Sequence, residues 1–508
     1  MEKSKSPSSF DFAKRGDAPR EDVKDALKES YFSRVCRRFL KNRAGAVALA
    51  VILLIVLFAV FAPLFITSGA GTVPISGYMK KGPRNLTLAR LGIATGERRE
   101  EYSALSLVNA AAIGIAALDE DITPKEAIER ADDLQPVKDV TESGGVFRAS
   151  VDEYLKVGFV YMYLEREEID ELKRREEELG IRVFYPLIEE NEYNLAYTSG
   201  LSGGANWWYK TDARGYPVSE SGERLPLSDG LDIRLVHNLM RDGDGEPVYY
   251  LPVGKTMYKA RVLFYNHYRA THGGDEPEFI FGTDSAGYDL AYRTAVGIRL
   301  SLLLSLSVFA INFVIGAVWG AVGGYFGGRR DLVLQFISYV LAGVPFMVVA
   351  TLFQIHLSAR AGPIPSLLFA FVLTGWIGTA SRVRTQFYRF KGMEYIMAAR
   401  TLGAKDLRII MKHIFPNALG TVITASVLTI PGVIFSESML SYLGIINLGS
   451  GTATSLGTLL SDAGRSWMSS PHLIVFPALV ISLLMICFNI LGNSLRDALD
   501  PRSDFGEV

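Results

Sequence analysis

The chain has 508 residues, 49% hydrophobic and 21% charged, with 53 Lys+Arg against 54 Asp+Glu. That length accommodates two or three domains, and near-neutrality removes any charge argument for a nucleic acid partner. Its two cysteines, Cys36 and Cys487, stand far apart in unlike surroundings, which excludes a disulfide framework or a CxxC metal site.

The first 43 residues read as a tail whose end is crowded by Arg34, Arg37, Arg38, Lys41 and Arg43. Residues 44–66 follow without a charge. As helix they extend about 34 Å at about 1.5 Å per residue, enough to cross a hydrocarbon core of about 30 Å. The long tail and the long apolar run argue against a cleaved signal. A retained first span is expected, with the N-terminus on the cytoplasmic, positive side.

Residues 67–280 hold 36 Asp+Glu and 25 Lys+Arg, a net charge of −11. They are expected outside the cytoplasm as an α+β accessory domain. Helices are predicted over 104–118, 124–134 and 164–180, the last ending at Gly180, with a strand over 181–188. Residues 206–226 read as loop. Trp207, Trp208 and Tyr209 suit either a ligand platform or a small core. The turn "DGDGEP" at 242–247 lacks the distal acid of a calcium loop. "GKT" at 254–256 has Tyr249 where a phosphate-binding loop needs glycine. No HExxH or CxxC spacing occurs and no strand-to-helix nucleophile elbow is evident, so neither a metal site nor a catalytic residue is predicted.

Five further apolar runs, 300–325, 332–357, 364–380, 418–446 and 473–495, bring the expected spans to six. Pro345 and Pro431 fall inside two of them and are tolerable where neighbours satisfy the freed carbonyls. Alternation places Arg329, Arg330, the 381–417 connection and the C-terminal residues 503–508 in the cytoplasm. That connection has eight Lys/Arg and two Asp/Glu. Glu437 is almost the only formal charge inside a span, hence a functional candidate by default.

Within the connection, Leu407, Ile410, Met411, Ile414 and Phe415 form one apolar stripe at helical spacing, and Tyr395, Ile396, Ala399 and Leu402 a second. Gly403 permits a turn between them, Asp406 suits the next helix N-terminus, and Pro416 is expected to end that helix. Two short amphipathic helices at the membrane face suit lipid headgroups or a groove on a partner.

"MAARTLGAKDLRIIMKHIFPN" resembles the EAA loop of bacterial ABC importer permeases, with Gly403 and Pro416 at the family spacing. Met397 and His413 depart from the general pattern, and Glu394 supplies an acid three residues before Met397. The segment "FGTDSAGYDLAYRTAVGIRLSL" resembles the approach to span two in C-type permeases of peptide/nickel importers. Gly282, Thr283, Asp284, Gly287 and Asp289 carry that likeness, while Tyr288 stands where arginine is usual. "SMLSYLGI", the terminal "NILGNSLRDALDPR" and the first span are similar to the same family.

The resemblance implies an all-α polytopic membrane protein with six transmembrane helices of the type I ABC importer permease kind. A large α+β extracytoplasmic insertion would separate helices one and two. It implies a non-catalytic subunit in a bacterial inner membrane, both termini cytoplasmic, with its core at 281–502 and a coupling loop at 390–417. In that loop Glu394, Ala398, Ala399, Gly403, Ala404, Leu407, Ile410, Met411, Ile414 and Pro416 would meet an ATPase. The expected partners are a homologous B-type permease, two ATPases carrying ATP-Mg, an extracytoplasmic binding protein and membrane lipid. A membrane-anchored sensor using the outer domain as receptor, and an ion-coupled carrier using Glu437, are the competing readings.

Overall fold

The computed structural model describes residues 31–66, 71–130, 132–143, 146–190, 204–227, 231–449 and 453–499. Of the expected tails, residues 1–30 and 503–508 lie outside the described residues, as does the end of the terminal motif at 500–502.

A short basic helix, α1 (Tyr31–Lys41), leads through Asn42 into the first apolar span, α2 (Arg43–Phe65). Asn42 Oδ1 caps it by accepting from Gly45 N at 3.2 Å. Pro63 lies in the last turn of α2 and has no N–H, so the Ala59 carbonyl loses its helical donor. Arg299 of the next span replaces it. Its Nε donates to Ala59 O at 2.5 Å and its Nη2 to Val60 O at 2.7 Å.

The segment between the first two spans contains β1 (Glu97–Tyr102), α3 (Ala104–Leu118), α4 (Pro124–Arg130), β2 (Val137–Ser143), β3 (Val146–Asp152), β4 (Phe159–Glu165), α5 (Arg166–Leu179), β5 (Phe184–Tyr185), β6 (Tyr250–Val253), β7 (Met257–Leu263) and α6 (Phe264–Thr271). The strands form two antiparallel sheets, one ordered β1-β3-β2 and one ordered β4-β7-β5 with β6 also on β7. α3 is apolar on nearly every face and is correspondingly buried in a core with Trp208 and Tyr209. Trp208 Nε1 donates to Ala112 O at 2.8 Å, so the aromatic cluster is core, with Trp207 at its edge. α4 stops short of residue 134, ahead of Asp132 and Asp133, which are unfavourable at a helix C-terminus. The strand expected over 181–188 shrinks to Phe184–Tyr185 because Pro186 cannot donate to the ladder.

The remaining helices are α7 (Leu290–Phe326), α8 (Gly328–Ala342), α9 (Phe346–Ala361), α10 (Pro363–Lys391), α11 (Glu394–Thr401), α12 (Asp406–Tyr442), α13 (Leu456–Ala463) and α14 (His472–Leu499). Among the described residues five helices are long and apolar enough to cross a membrane, or six if α8 and α9 count as one bent span. The run expected as a continuous span over 332–357 is broken and bent by 75°. Pro345 ends it, since the ring removes an N–H and forces Val344 away from helical geometry. α7 packs closely on α10 through Gly316, Gly320 and Gly324, where an added Cβ would meet the α10 backbone at Trp376, Ala380 and Arg384.

Candidate functional site

The coupling segment begins where α10 ends. Glu394 opens α11, and Gly403 turns the chain with φ +81°. A Cβ at Gly403 would meet nothing within 4 Å, so the glycine is required by its backbone angle and not by crowding. Pro416 does not end the next helix, as its position suggested. Helical structure continues through Pro416, because residues Ile409–Ile414 form a π-turn in which Phe415 N bonds Ile410 O, and it reaches Tyr442 with a single turn residue at Leu428. The extra residue in that turn lets the Pro416 ring clear the preceding carbonyls. Segment and span are therefore one 37-residue helix.

The π-turn also corrects the expected stripe. Positions five apart now share a face, and Ile409 and Ile414 are both fully buried with Ile396, Val383 and Phe387. Ile409 was missed by the 3.6-residue period; a proline inside an apolar run was the available sign of an irregular helix. Leu407 and Met411 turn outward at 72% and 58% exposure, beside Leu402 at 88%. Glu394, Ala398 and Pro416 are also exposed, while Ala399, Ala404 and Ile410 are half-buried. The segment thus has one face packed on the spans and one exposed apolar face.

A polar clip holds the inner face. Tyr325, at the end of α7, donates to Asp406 Oδ1 at 2.5 Å and accepts from Arg400 Nη2 at 3.1 Å. Lys391 Nζ donates to Gly324 O at 3.2 Å. Arg384 of α10 makes a two-pronged ion pair with Asp331 of α8 at 2.6 and 2.7 Å. No local spacing in the sequence marks these contacts.

The motif before α7 is a clasp on the chain that follows α2. Thr283 Oγ1 donates to Tyr78 O and accepts from Lys81 N. Gly282 and Gly287, at φ +80° and +92°, lie against the backbone of Lys81 and Ile75. Asp284 Oδ1 accepts from Ala286 N and Tyr288 N, both at 2.9 Å, and its other oxygen meets Arg293 Nε at 3.4 Å. The cation facing Asp284 is thus Arg293, whose guanidinium also lies over the Tyr288 ring, 4.9 Å from its centroid. Asp289 caps α7 through Ala291 N and Tyr292 N at 2.7 and 3.2 Å. Burial and the neighbouring Asp284 push its carboxyl up to about 6, against its hydrogen bonds.

Glu437 is fully buried. Ser301 of α7 donates to its Oε2 at 3.1 Å, while Ser441 and Ser455 donate to its Oε1 at 3.1 and 2.6 Å. It joins α7, α12 and the N-terminus of α13, where a negative charge is favoured.

Residues 312–504 match the model for inner membrane components of binding-protein-dependent transport systems, and residues 30–80 match the N-terminal transmembrane domain of oligopeptide transport permease C. Over 224 residues the chain is 41% identical to the dipeptide transport system permease protein DppC of Bacillus subtilis, covering 44% of this chain and 68% of that one. The chain belongs to this permease family. It is also 42% identical over 226 residues to the oligopeptide transport system permease protein OppC of Escherichia coli K12, covering 44% and 72%. A weak structural likeness, TM-score 0.34 at 16% identity, links 41% of the chain to 97% of a chain in the inward-facing MetNI methionine ABC transporter. Most of the insertion, and the approach to α7, fall between the two regions that the family models match.

Proposed function

We propose that this permease is the C-type subunit of a peptide importer and forms half of the pathway with a homologous B-type permease. Two cytoplasmic ATPases carrying ATP-Mg drive it, and an extracytoplasmic binding protein delivers the peptide. The observation that carries this reading is the coupling segment, whose exposed apolar face is continuous with the 37-residue helix α12. A push on Leu407 or Met411 would move that span without a flexible joint between them. The basic residues of α1 and of 381–417 support a cytoplasmic location for both, and alternation across the first span then argues for an insertion outside. There the insertion would meet the binding protein or widen the outer mouth. The opposite end of α7 lines a mixed-charge cavity of about 770 Å³ with Asp284, Arg293, Asp462 and Arg465.

The domain division that goes with this reading is a tail at 1–43, a span at 44–66, an outer domain at 67–280, a core at 281–502 and a tail at 503–508. The test is uptake of labelled peptides by proteoliposomes containing the chain, a sister permease, the ATPases and the binding protein. Uptake should require both hydrolysable ATP and the binding protein. Uptake that survives ATP removal would overturn the reading.

A further inference from the structure

We propose that an acidic phospholipid seats its phosphate in a basic cavity at the end of the helices that carries the coupling segment. The cavity, about 510 Å³, lies between α10, α12 and α14. Arg382 and Arg389 line it from α10, Arg496 lines it from α14, and no Asp or Glu is among its lining residues. The only contact seen for these guanidiniums among the described residues is Arg389 over the Phe390 ring at 5.8 Å. Arg384 on the same helix provides the contrast, being tied to Asp331 at 2.6 Å. Among the described residues a carboxylate therefore stands where α10 needs an internal tie, and none lines the cavity where these three arginines converge.

Three like charges around one cavity repel and favour a bound anion. Guanidinium forks match phosphate oxygens in pairs. Gln386 Oε1 is buried without a partner and offers an acceptor to a headgroup hydroxyl, while the Thr385 and Thr421 hydroxyls already donate to Ser381 O and Ala418 O and leave the phosphate to the arginines. An anion that also carries a hydroxyl, such as phosphatidylglycerol, satisfies both features. The level agrees as well: the charge-free run of α10 ends at Ser381, immediately before Arg382, where headgroups begin. Such a lipid would bridge α12, which carries the coupling segment, to α10 and α14. Free phosphate shares the recognition chemistry but lacks the acyl chains that hold a lipid at this depth.

The test is native mass spectrometry of the full chain released from nanodiscs of phosphatidylglycerol and phosphatidylcholine. Wild type should retain one phosphatidylglycerol, and the triple variant Arg382→Gln, Arg389→Gln, Arg496→Gln should retain at least tenfold less. Arg465→Gln, at the opposite end, should retain it as wild type does. The single variant Arg389→Gln, checked for an unchanged melting temperature, should show a graded loss and keeps the test valid if the triple variant misfolds. Equal retention by wild type and variants would overturn the proposal. So would displacement of the lipid by millimolar inorganic phosphate, which would mark a free-phosphate site.

Discussion

Arg299 answers a defect that Pro63 creates. The proline is visible in the sequence, but its partner is 236 residues away, so only the folded chain shows a guanidinium on the freed Ala59 carbonyl. Removing it should cost about 1–3 kcal/mol per carbonyl left unsatisfied in an apolar setting. Arg299→Leu is therefore expected to lower the melting temperature, and to lower it less in a Pro63→Ala background, where residue 63 regains its N–H. A double-mutant cycle on purified protein checks this; equal costs in both backgrounds would contradict it. Asp289 gives a pH prediction. Its folded value of about 6 lies above the usual value of about 3.9, so the folded state holds the proton more tightly. Its contribution is complete below about pH 4 and is lost as pH rises through about 6, on the order of 2–3 kcal/mol. Asp289→Asn keeps the helix cap without the charge. Thermal unfolding between pH 4.5 and 7 should fall more steeply for wild type than for this variant.

At the scale of elements, the first span was legible because a charge-free run long enough to cross a bilayer has few other folds. The third was not, because hydropathy is blind to the backbone break at Val344 and Pro345. The fourth extends beyond its apolar window to Lys391, since its basic end is amphipathic and packs on the coupling segment through Val383 and Phe387. The coupling segment was legible as two helices about Gly403, but the π-turn altered which residues are buried. The clip at Tyr325 predicts a coupling defect without loss of the span. Tyr325→Phe removes hydrogen bonds to Asp406 and Arg400, which at about 1.5–3 kcal/mol for charge-assisted bonds is enough to change an equilibrium tenfold or more. Uptake per ATP hydrolysed should fall about tenfold while membrane insertion stays normal. An unchanged ratio would mean that the clip does not transmit movement.

Over the whole molecule, the insertion returns to the spans through a compact junction. Arg84 pairs with Asp152 at 3.3 Å and Glu276 at 3.1 Å and donates to Tyr265 at 2.9 Å. The Gly282–Asp289 clasp closes beside it. Composition indicated a folded, acidic segment here, and the helices over 104–118 and 166–179 follow from their periodicity. The sheet pairings were hidden, because strands such as β4 and β7 meet across about a hundred residues of intervening chain. Gly287→Val would force a Cβ into the Ile75 carbonyl at a left-handed position that itself costs roughly 1–2 kcal/mol. Limited proteolysis should then cut within residues 71–84 at least several-fold faster, with α7 to α14 intact; an unchanged rate would show that the clasp does not order this segment. The central claim is that an ATPase works the spans through the outward face of the coupling segment. Photo-crosslinkers at Leu402, Leu407 and Met411, with Leu332 on the exposed apolar face of α8 as control, test it most directly in the assembled transporter. The account predicts ATPase adducts at the first three sites, changing in yield when ATP binds, and none at Leu332. Adducts only to lipid at Leu402, Leu407 and Met411 would contradict it.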